Sequence, residues 1–485
     1  MFITKITIKN FRLFSSNKLF EVDNINIPDS QNEGSGLTTF VGENGCGKTS
    51  LLDALALPLL SYKTESFAVD DFYDPGVKTV IEIFSKDNFS VDGTMPKSIF
   101  SAKGFSFEAG IRARENKNYL SSIIVSDQKY IRVDPSKPKD GSPDLRIAVN
   151  NPFKGPRFNE NDILFLDKNR LFQTRSGTYN KTRFDRLMED FDFQYIKGKT
   201  NGVDNLNEDL NSKIKTNIEN KFLKNAIKKF SEISSSTITL EFIDNWRPFN
   251  KGFFAEKKAN NQQISLSMLG SGYEMIFSLL YSFYLSQQSG KQLIVLIDEP
   301  DLHLHPSLQE DFVKVLLEFS KNAQIILTSH SPLFLKQLSH NEKVKIIIMD
   351  RKGSQQPEVI AMNKMVLPYA SASEVNYLAF GLPTVELHDE IYGFLHQKYI
   401  DNATDEQEAK KRSYLDEFDD YLKTKTTQTR KWTPEQGWTT KTESDITLQT
   451  FIRNKIHHSE NKTMQDKNFT DKELRQSIDE MIKII

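Results

Sequence analysis

The run Leu37-Thr38-Thr39-Phe40-Val41 passes directly into Gly42-Glu43-Asn44-Gly45-Cys46-Gly47-Lys48-Thr49-Ser50, and the helix-compatible stretch Leu51-Leu52-Asp53-Ala54-Leu55 follows at once. An apolar strand, a loop of the form G-x-x-x-x-G-K-[ST] and a helix predict an α/β domain whose loop wraps phosphate. Gly42 and Gly47 stand where backbone amides must close around phosphate oxygens, with Asn44, Gly45 and Cys46 between them. Lys48 is expected at the β and γ phosphates, Thr49 at Mg²⁺, and Ser50 at the helix start, whose positive dipole end faces the same charge. A Gly-rich strand-to-helix turn without a ligand is the competing reading; the flanking strand and helix weigh against it.

Composition excludes other classes more than it selects one. A chain of 485 residues can form about three domains or one elaborated α/β domain. A net charge of −2 makes no global demand for nucleic acid. The single cysteine, Cys46, lies in the loop itself, so neither a disulfide framework nor a thiolate metal cluster is expected. Ile3, Ile6 and Ile8 alternate as in a strand, not as in a signal peptide, and the apolar run from Met275 to Leu285 is too short to cross a bilayer. The expectation is a soluble cytoplasmic protein.

Further along, short strand-like runs such as Val80–Phe84 and Ile123–Val125 alternate with Pro, Gly, Asp and Lys clusters from 61 to about 165, predicting a β-rich section. Ile214, Ile218, Phe222, Ala226 and Phe230 recur at four-residue steps through polar residues, predicting an amphipathic helix. From 264 to 350, apolar strands alternate with helical patterns, as in a parallel sheet covered by helices. Residues 401–412 and 423–441 read as exposed loops or linkers, and 445–485 as two helices, one carrying Ile446, Phe451, Ile452 and Ile456, the other Leu474, Ile478, Met481 and Ile484.

The second chemical element is Leu293-Ile294-Val295-Leu296-Ile297-Asp298-Glu299-Pro300, an apolar run that ends in two carboxylates. Asp298 is placed to orient Mg²⁺, and Glu299 to polarise the water that attacks the γ phosphate. Carboxylates that merely cap the next helix would account for one acid but not both. After Ile325-Ile326-Leu327-Thr328-Ser329 comes His330, where an imidazole could contact the γ phosphate and Glu299.

Taken together, these elements resemble the ABC-type ATPases of the SMC, RecF and OLD group. The resemblance identifies Gly42 to Thr49 as Walker A, Ile294 to Glu299 as Walker B and His330 as the switch histidine. It implies ATP and Mg²⁺ as cofactors and Glu299 and His330 as the catalytic pair. Asn10-Phe11-Arg12 is similar to an N-terminal turn whose arginine lies near the nucleotide; a surface charge is the alternative for Arg12. Leu269-Gly270-Ser271-Gly272-Tyr273-Glu274 stands at the position of the signature segment that completes the site of an opposite subunit. The family's L-S-G-G-Q serine is replaced by Gly270 and its next glycine by Ser271. Either Ser271 takes over the γ-phosphate contact, or hydrolysis is slow and ATP mainly holds a dimer. Gln173 is the candidate Q-loop ligand to nucleotide and metal, or else a plain loop glutamine.

The interval from Thr49 to Leu269 is too short for the coiled-coil arms of SMC proteins, which points to the compact OLD-like branch. The implied fold is an α/β, ABC-type P-loop ATPase head with a mixed sheet covered by helices, a β-rich lobe, a short helical insertion and a small helical C-terminal module. The expected divisions are 1–165, the N-terminal half of the head with Walker A and the lobe; 166–260, the helical insertion; 261–365, the half with signature, Walker B and switch histidine; and 366–485, a mainly helical partner-docking region. His303 and His305 resemble a zinc pair, but the surrounding D-E-P-D-L-H-L-H-P is the family's dimer-contacting loop, so no metal is expected there.

No Toprim-like cluster of carboxylates stands out after residue 350. Glu374 to Thr384 and Ile452 to Asn461 instead resemble the tails of PtuA-type ATPases of Septu and retron anti-phage systems. That resemblance implies a homodimer or higher even-numbered oligomer that binds and controls a separate HNH nuclease, with nucleic acid met through the complex and no membrane. Two alternatives stay open: a RecF-like repair ATPase binding DNA directly, and a HEPN-like ribonuclease using Arg453 and His458. Arg453, Asn454 and His458 fit the R-N-x-x-x-H spacing, but also a packed helix end or a docking surface.

Overall fold

The computed structural model describes residues 2–59, 71–110, 120–132, 157–166, 222–234, 238–246, 251–257, 262–351, 356–360 and 366–485, apart from positions 75, 95, 96, 126, 127, 159, 160, 370, 434, 437, 438, 441, 461 and 466 within those spans. Contacts divide the chain into two units, Met1–Ile360 and Ala361–Ile485.

The first unit contains two large sheets, joined by its N-terminal strands, and a small three-stranded one. β1 (Ile3–Lys9) pairs antiparallel with β2 (Phe20–Val22) and with β4 (Thr79–Thr94). The antiparallel order continues through β5 (Lys97–Gly110), β6 (Leu120–Val125) and β7 (Gln128–Arg132), while β8 (Arg157–Phe158) pairs with β4. The β-rich reading of 61–165 meets these strands, but β4 and β5 run longer than the expected short segments. The β4 ladder shifts register between Phe84 and Phe89, carrying the strand past the polar Lys86-Asp87-Asn88 stretch.

The nucleotide-loop strand β3 (Leu37–Val41) lies in the other sheet, whose order is β16-β15-β3-β14-β13-β9. Here β9 is Asn161–Leu166, β13 Gln292–Ile297, β14 Ala323–Ser329, β15 Lys345–Asp350 and β16 Glu358–Ile360. Every pairing is parallel except β15 with β16, so the sheet is mixed. β3 and β14 are buried along their whole length, which explains their unbroken apolar runs: helices cover both faces. These helices include α1 (Lys48–Leu59) and, later in the chain, the helix that opens at Ser271.

One buried polar residue links the sheets. Gln324 on β14 has no exposed surface; its Nε2 donates to Ile3 O at 2.6 Å and Asn26 O at 2.7 Å, and its Oε1 accepts from Ile3 N at 2.8 Å. A buried amide with both ends satisfied fixes register where an apolar residue would allow sliding.

Of the expected amphipathic helix, α2 (Phe222–Ile233) buries Ala226 and Phe230, whereas Ile214 and Ile218 lie outside the described residues. The helical reading of 166–260 requires correction at its C-terminal end. β10 (Leu240–Trp246) and β11 (Lys251–Lys257) form an antiparallel hairpin that also pairs with β12 (Gln263–Ser265). Leu240 is buried and Glu241 exposed, a period-two pattern that overrides the charged, helix-like composition. α3 (Leu266–Leu269) and α4 (Ser271–Ser289) follow, then α5 (Pro306–Phe319) after the acidic loop and α6 (Pro332–Ser339) after His330.

In the second unit, α7 (Ala372–Phe380), α8 (Val385–Asp401), α9 (Glu406–Arg412) and α10 (Leu415–Lys423) precede β17 (Thr429–Trp432). Two short strands, β18 (Glu435–Gln436) and β19 (Thr439–Thr440), form a hairpin; β20 (Ser444–Thr447) pairs with β17. The chain continues as α11 (Leu448–His457), α12 (Lys462–Gln465) and α13 (Asp471–Ile484). Leu387, Ile391, Phe418, Leu448, Ile452 and Ile478 anchor its separate core.

The loop reading of 401–412 is corrected by α9, which buries no residue and so gave no apolar period. It rests on the Asp405 cap, which accepts from Glu408 N at 2.8 Å, and on an Arg412–Glu408 pair at 2.6 Å. Within 423–441, β17 replaces part of the expected loop, and Ile446 belongs to β20, not to the following helix.

Candidate nucleotide site

Strand register brings the predicted residues together at one edge of the mixed sheet. Val41 pairs with Ser329 and Ile297 with Leu327, so Gly42, Asp298 and His330 all follow the C-terminal ends of β3, β13 and β14. In open α/β sheets this is the edge at which ligands bind.

The phosphate loop has a buried base and an exposed crown: Gly42, Cys46, Gly47 and Lys48 are buried, while Glu43, Asn44 and Gly45 are exposed. Gly42 has φ +149, and a Cβ there would lie 2.1 Å from Met349 O on β15. Gly47 has φ +96, and its Cβ would meet Pro357 Cγ at 2.7 Å. The loop is thus pressed against the β15–β16 connection, and only glycine fits at either point.

Lys48, 4% exposed, turns its ammonium back into the loop, donating to Gly42 O at 2.8 Å and Glu43 O at 2.9 Å, with Cys46 Sγ at 3.4 Å. Burial lowers its pKa, and the nearby thiol, Glu299 and Asp298 act in the opposite direction. A buried ammonium at the mouth of a ring of amides is matched to a phosphate anion. Ser50 is buried in the first turn of α1, whose Leu51 N donates to Gly47 O at 2.9 Å.

The acidic end of β13 is tied to its neighbours on both sides. Asp298 N donates to Leu166 O of β9 at 2.9 Å, and its Oδ1 accepts from Thr49 Oγ1 at 3.3 Å and Thr328 Oγ1 at 2.6 Å. A threonine hydroxyl beside a buried carboxylate is the hard-oxygen donor set that suits Mg²⁺. An ion held there by Thr49 and Asp298 would supply charge neutralisation to bound phosphate. Glu299 adopts left-handed φ +47, and its Oε1 lies 3.2 Å from His330 Nε2. That conformation is costly for a side-chain-bearing residue and is held by Glu299 N donating to Thr328 Oγ1 at 3.0 Å. Burial raises the pKa of Asp301, with a Ser329 hydrogen bond opposing it.

Arg12 is no free surface charge. It has φ +49, its Nε donates to Asp71 at 2.8 Å and its Nη1 pairs with Asp53 of α1, so it ties the β1 turn to the phosphate-loop helix. The sequence reading missed Thr328, Asp53 and Asp71. A threonine in the otherwise aliphatic Ile325–Leu327 run was the available signal for Thr328.

Gly270 (φ +126) breaks the chain between α3 and α4, and Ser271 opens α4. Gly270, Ser271 and Gly272 line a cavity of about 460 Å³ with His305, Ser307 and Asp311. No phosphate-loop residue lines it. His305 caps α5, its Nδ1 accepting from Ser307 N at 3.4 Å. Gln173 lies outside the described residues. In the second unit, His458 has left α11 and its Nδ1 lies 3.8 Å from Glu460, Arg453 donates from Nη1 to Asn454 Oδ1 at 3.2 Å, and His457 pairs with Asp389 at 2.6 Å. Among the described residues no helix is long and apolar enough to cross a membrane.

Known proteins similar to this chain include some named as nucleases and some as probable ATPases. It is 22% identical over 423 residues to "Endonuclease GajA" of Bacillus cereus (strain HuB5-5), an alignment covering 70% of this chain and 59% of that protein. It is 26% identical over 407 residues to "Retron Vc95 probable ATPase" of Vibrio cholerae serotype O1 biovar El Tor, covering 71% and 74%. A shorter stretch of 53 residues is 40% identical to "Septu protein PtuA" of Bacillus thuringiensis, covering 11% and 13%. This chain therefore spans 59% of GajA, less than two thirds of it. The family profile described as "AAA domain, putative AbiEii toxin, Type IV TA system" matches residues 37–336, more than half of the chain, and the chain belongs to that ATPase-domain family.

Proposed function

We propose that the chain binds and hydrolyses ATP with Mg²⁺ at the Lys48–Asp298–Glu299 site, as the ATPase subunit of an anti-phage complex that controls a separate HNH nuclease. The observation that carries the nucleotide half is the register that sets Lys48, Asp298, Glu299 and His330 at one sheet edge, with Glu299 and His330 3.2 Å apart. In this reading Lys48 and the loop amides hold the phosphates, Thr49 and Asp298 the ion, and Glu299 orients and deprotonates the attacking water beside His330. Arg12 acts through α1, and Gln173 is retained as the candidate Q-loop ligand. The names of the similar retron and Septu proteins support the defence half, with nucleic acid reached through the partner.

Lys48→Ala is expected to abolish ATP binding measured by equilibrium dialysis. Glu299→Gln should bind ATP as tightly as the parent while turnover falls roughly 10²-fold or more, the loss typical of a missing general base; undiminished turnover would reject Glu299 as that base. Co-purification with a co-expressed HNH nuclease from the same locus tests the partner, and absence of a complex at micromolar concentrations would remove it.

A further inference from the structure

Thr328 is fully buried at the C-terminal end of β14, yet its hydroxyl touches both members of the acidic pair: it donates to Asp298 Oδ1 at 2.6 Å and accepts from Glu299 N at 3.0 Å. We infer that Thr328 is a positioning residue that couples the ion ligand to the catalytic carboxylate. The reasoning rests on the ATPase reading of this site.

A hydroxyl has one proton to give, and here the carboxylate takes it, which leaves the oxygen lone pairs facing the Glu299 amide. The two bonds therefore share one orientation of Oγ1. Asp298 Oδ1 also accepts from Thr49 at 3.3 Å, so the oxygen Thr328 holds is bonded to the other candidate ion ligand as well. On the other side, the Glu299 amide lies where the chain leaves β13 for the left-handed φ of +47 and turns into the 3₁₀ segment Pro300–His303. Holding that amide aims the Glu299 side chain at His330. Movement of Asp298 toward or away from an ion is thus passed through one hydroxyl to the peptide that carries the base. A valine is nearly isosteric but supplies neither bond; a serine supplies both.

The test compares the full-length protein with Thr328→Val and Thr328→Ser in two measurements: steady-state turnover, and the Mg²⁺ concentration at half-maximal binding of a fluorescent ATP analogue in the absence of turnover. Thr328→Val should lower kcat by roughly 10²-fold, the scale expected for a misplaced catalytic group, with KM changed far less. Its Mg²⁺ midpoint should rise several-fold, and Thr328→Ser should restore both. A valine variant with parental kcat and Mg²⁺ midpoint overturns the inference, as does a serine variant as impaired as valine. If the parent protein binds the analogue without turning over ATP, hydrolysis by this chain is rejected, and the Mg²⁺ midpoint alone decides the role of Thr328. A variant that loses its circular dichroism melt is replaced by Thr328→Cys, judged on the same two measurements.

Discussion

At the scale of single residues, the site is built by making the backbone do what side chains would prevent. Gly42 is the sharpest case, since a Cβ would come within 2.1 Å of the Met349 carbonyl, on a φ of +149. Gly42→Ala must move either the loop or β15, and rigid backbone on both sides leaves no flexible side chain to yield. The expected outcome is loss of nucleotide binding together with a destabilisation of about 1–3 kcal/mol, read from dialysis and urea titration. Gly45→Ala is the control: φ +80 carries strain, but a Cβ there meets nothing within 4 Å, so binding should suffer less. Glu299 and Arg12 also have positive φ although they are not glycine, each held by neighbouring groups. The sequence announced the glycines, Lys48 and the acidic pair because those identities are forced by chemistry at fixed spacing. It was silent on Thr328 and on Asp53 and Asp71, whose roles depend on which strand lies beside which, a fact of topology and not of local spacing.

Among elements, legibility followed burial. β3, β13 and β14 read directly as strands because helices bury both of their faces, leaving continuous apolar runs. α9 left no such trace because it buries nothing, and the β10–β11 hairpin was hidden inside a charged segment. The helices of the second unit carry a further, less obvious constraint. His388 of α8 is fully buried, with Nε2 2.9 Å from Ser477 Oγ of α13, and burial pushes its pKa down to about 3 against a weak opposing effect of Asp389. The folded imidazole is therefore neutral, whereas the unfolded one takes up a proton near pH 6.5. Between about 6.5 and 3 the unfolded state holds more protons, so stability is full above 6.5 and falls as pH falls, by a few kcal/mol across the window. Hydrogen exchange of α8 and α13, corrected for intrinsic rate, should show protection lost between pH 7.5 and 5; His388→Gln should flatten that dependence. An unchanged pH profile in the glutamine variant would mean that another group governs it.

For the whole molecule, the question is why a chain that gathers Lys48, Asp298, Glu299 and His330 at one edge should keep its signature stretch elsewhere. Ser271 and its glycines share a cavity with His305, Ser307 and Asp311 of the α5 start, and no phosphate-loop residue enters it. In the reading proposed for the site, Ser271 acts on the nucleotide of another copy. The exposed apolar residues agree with such a contact: Met268 beside the signature is 77% exposed, Leu302 after the acidic pair 58% and Leu333 after His330 44%. Ligand that bridges two copies stabilises only the assembled state, so dimerisation should depend on ATP by mass action. Glu299→Gln is accordingly expected to run as a monomer without nucleotide and as a dimer with Mg²⁺ and ATP in light scattering. Adding Ser271→Arg should return it to monomer while leaving ATP binding to each copy intact, because Ser271 lies outside the Lys48 loop. A double variant that still dimerises with ATP would place the contact on a different face and leave the signature without a role in assembly.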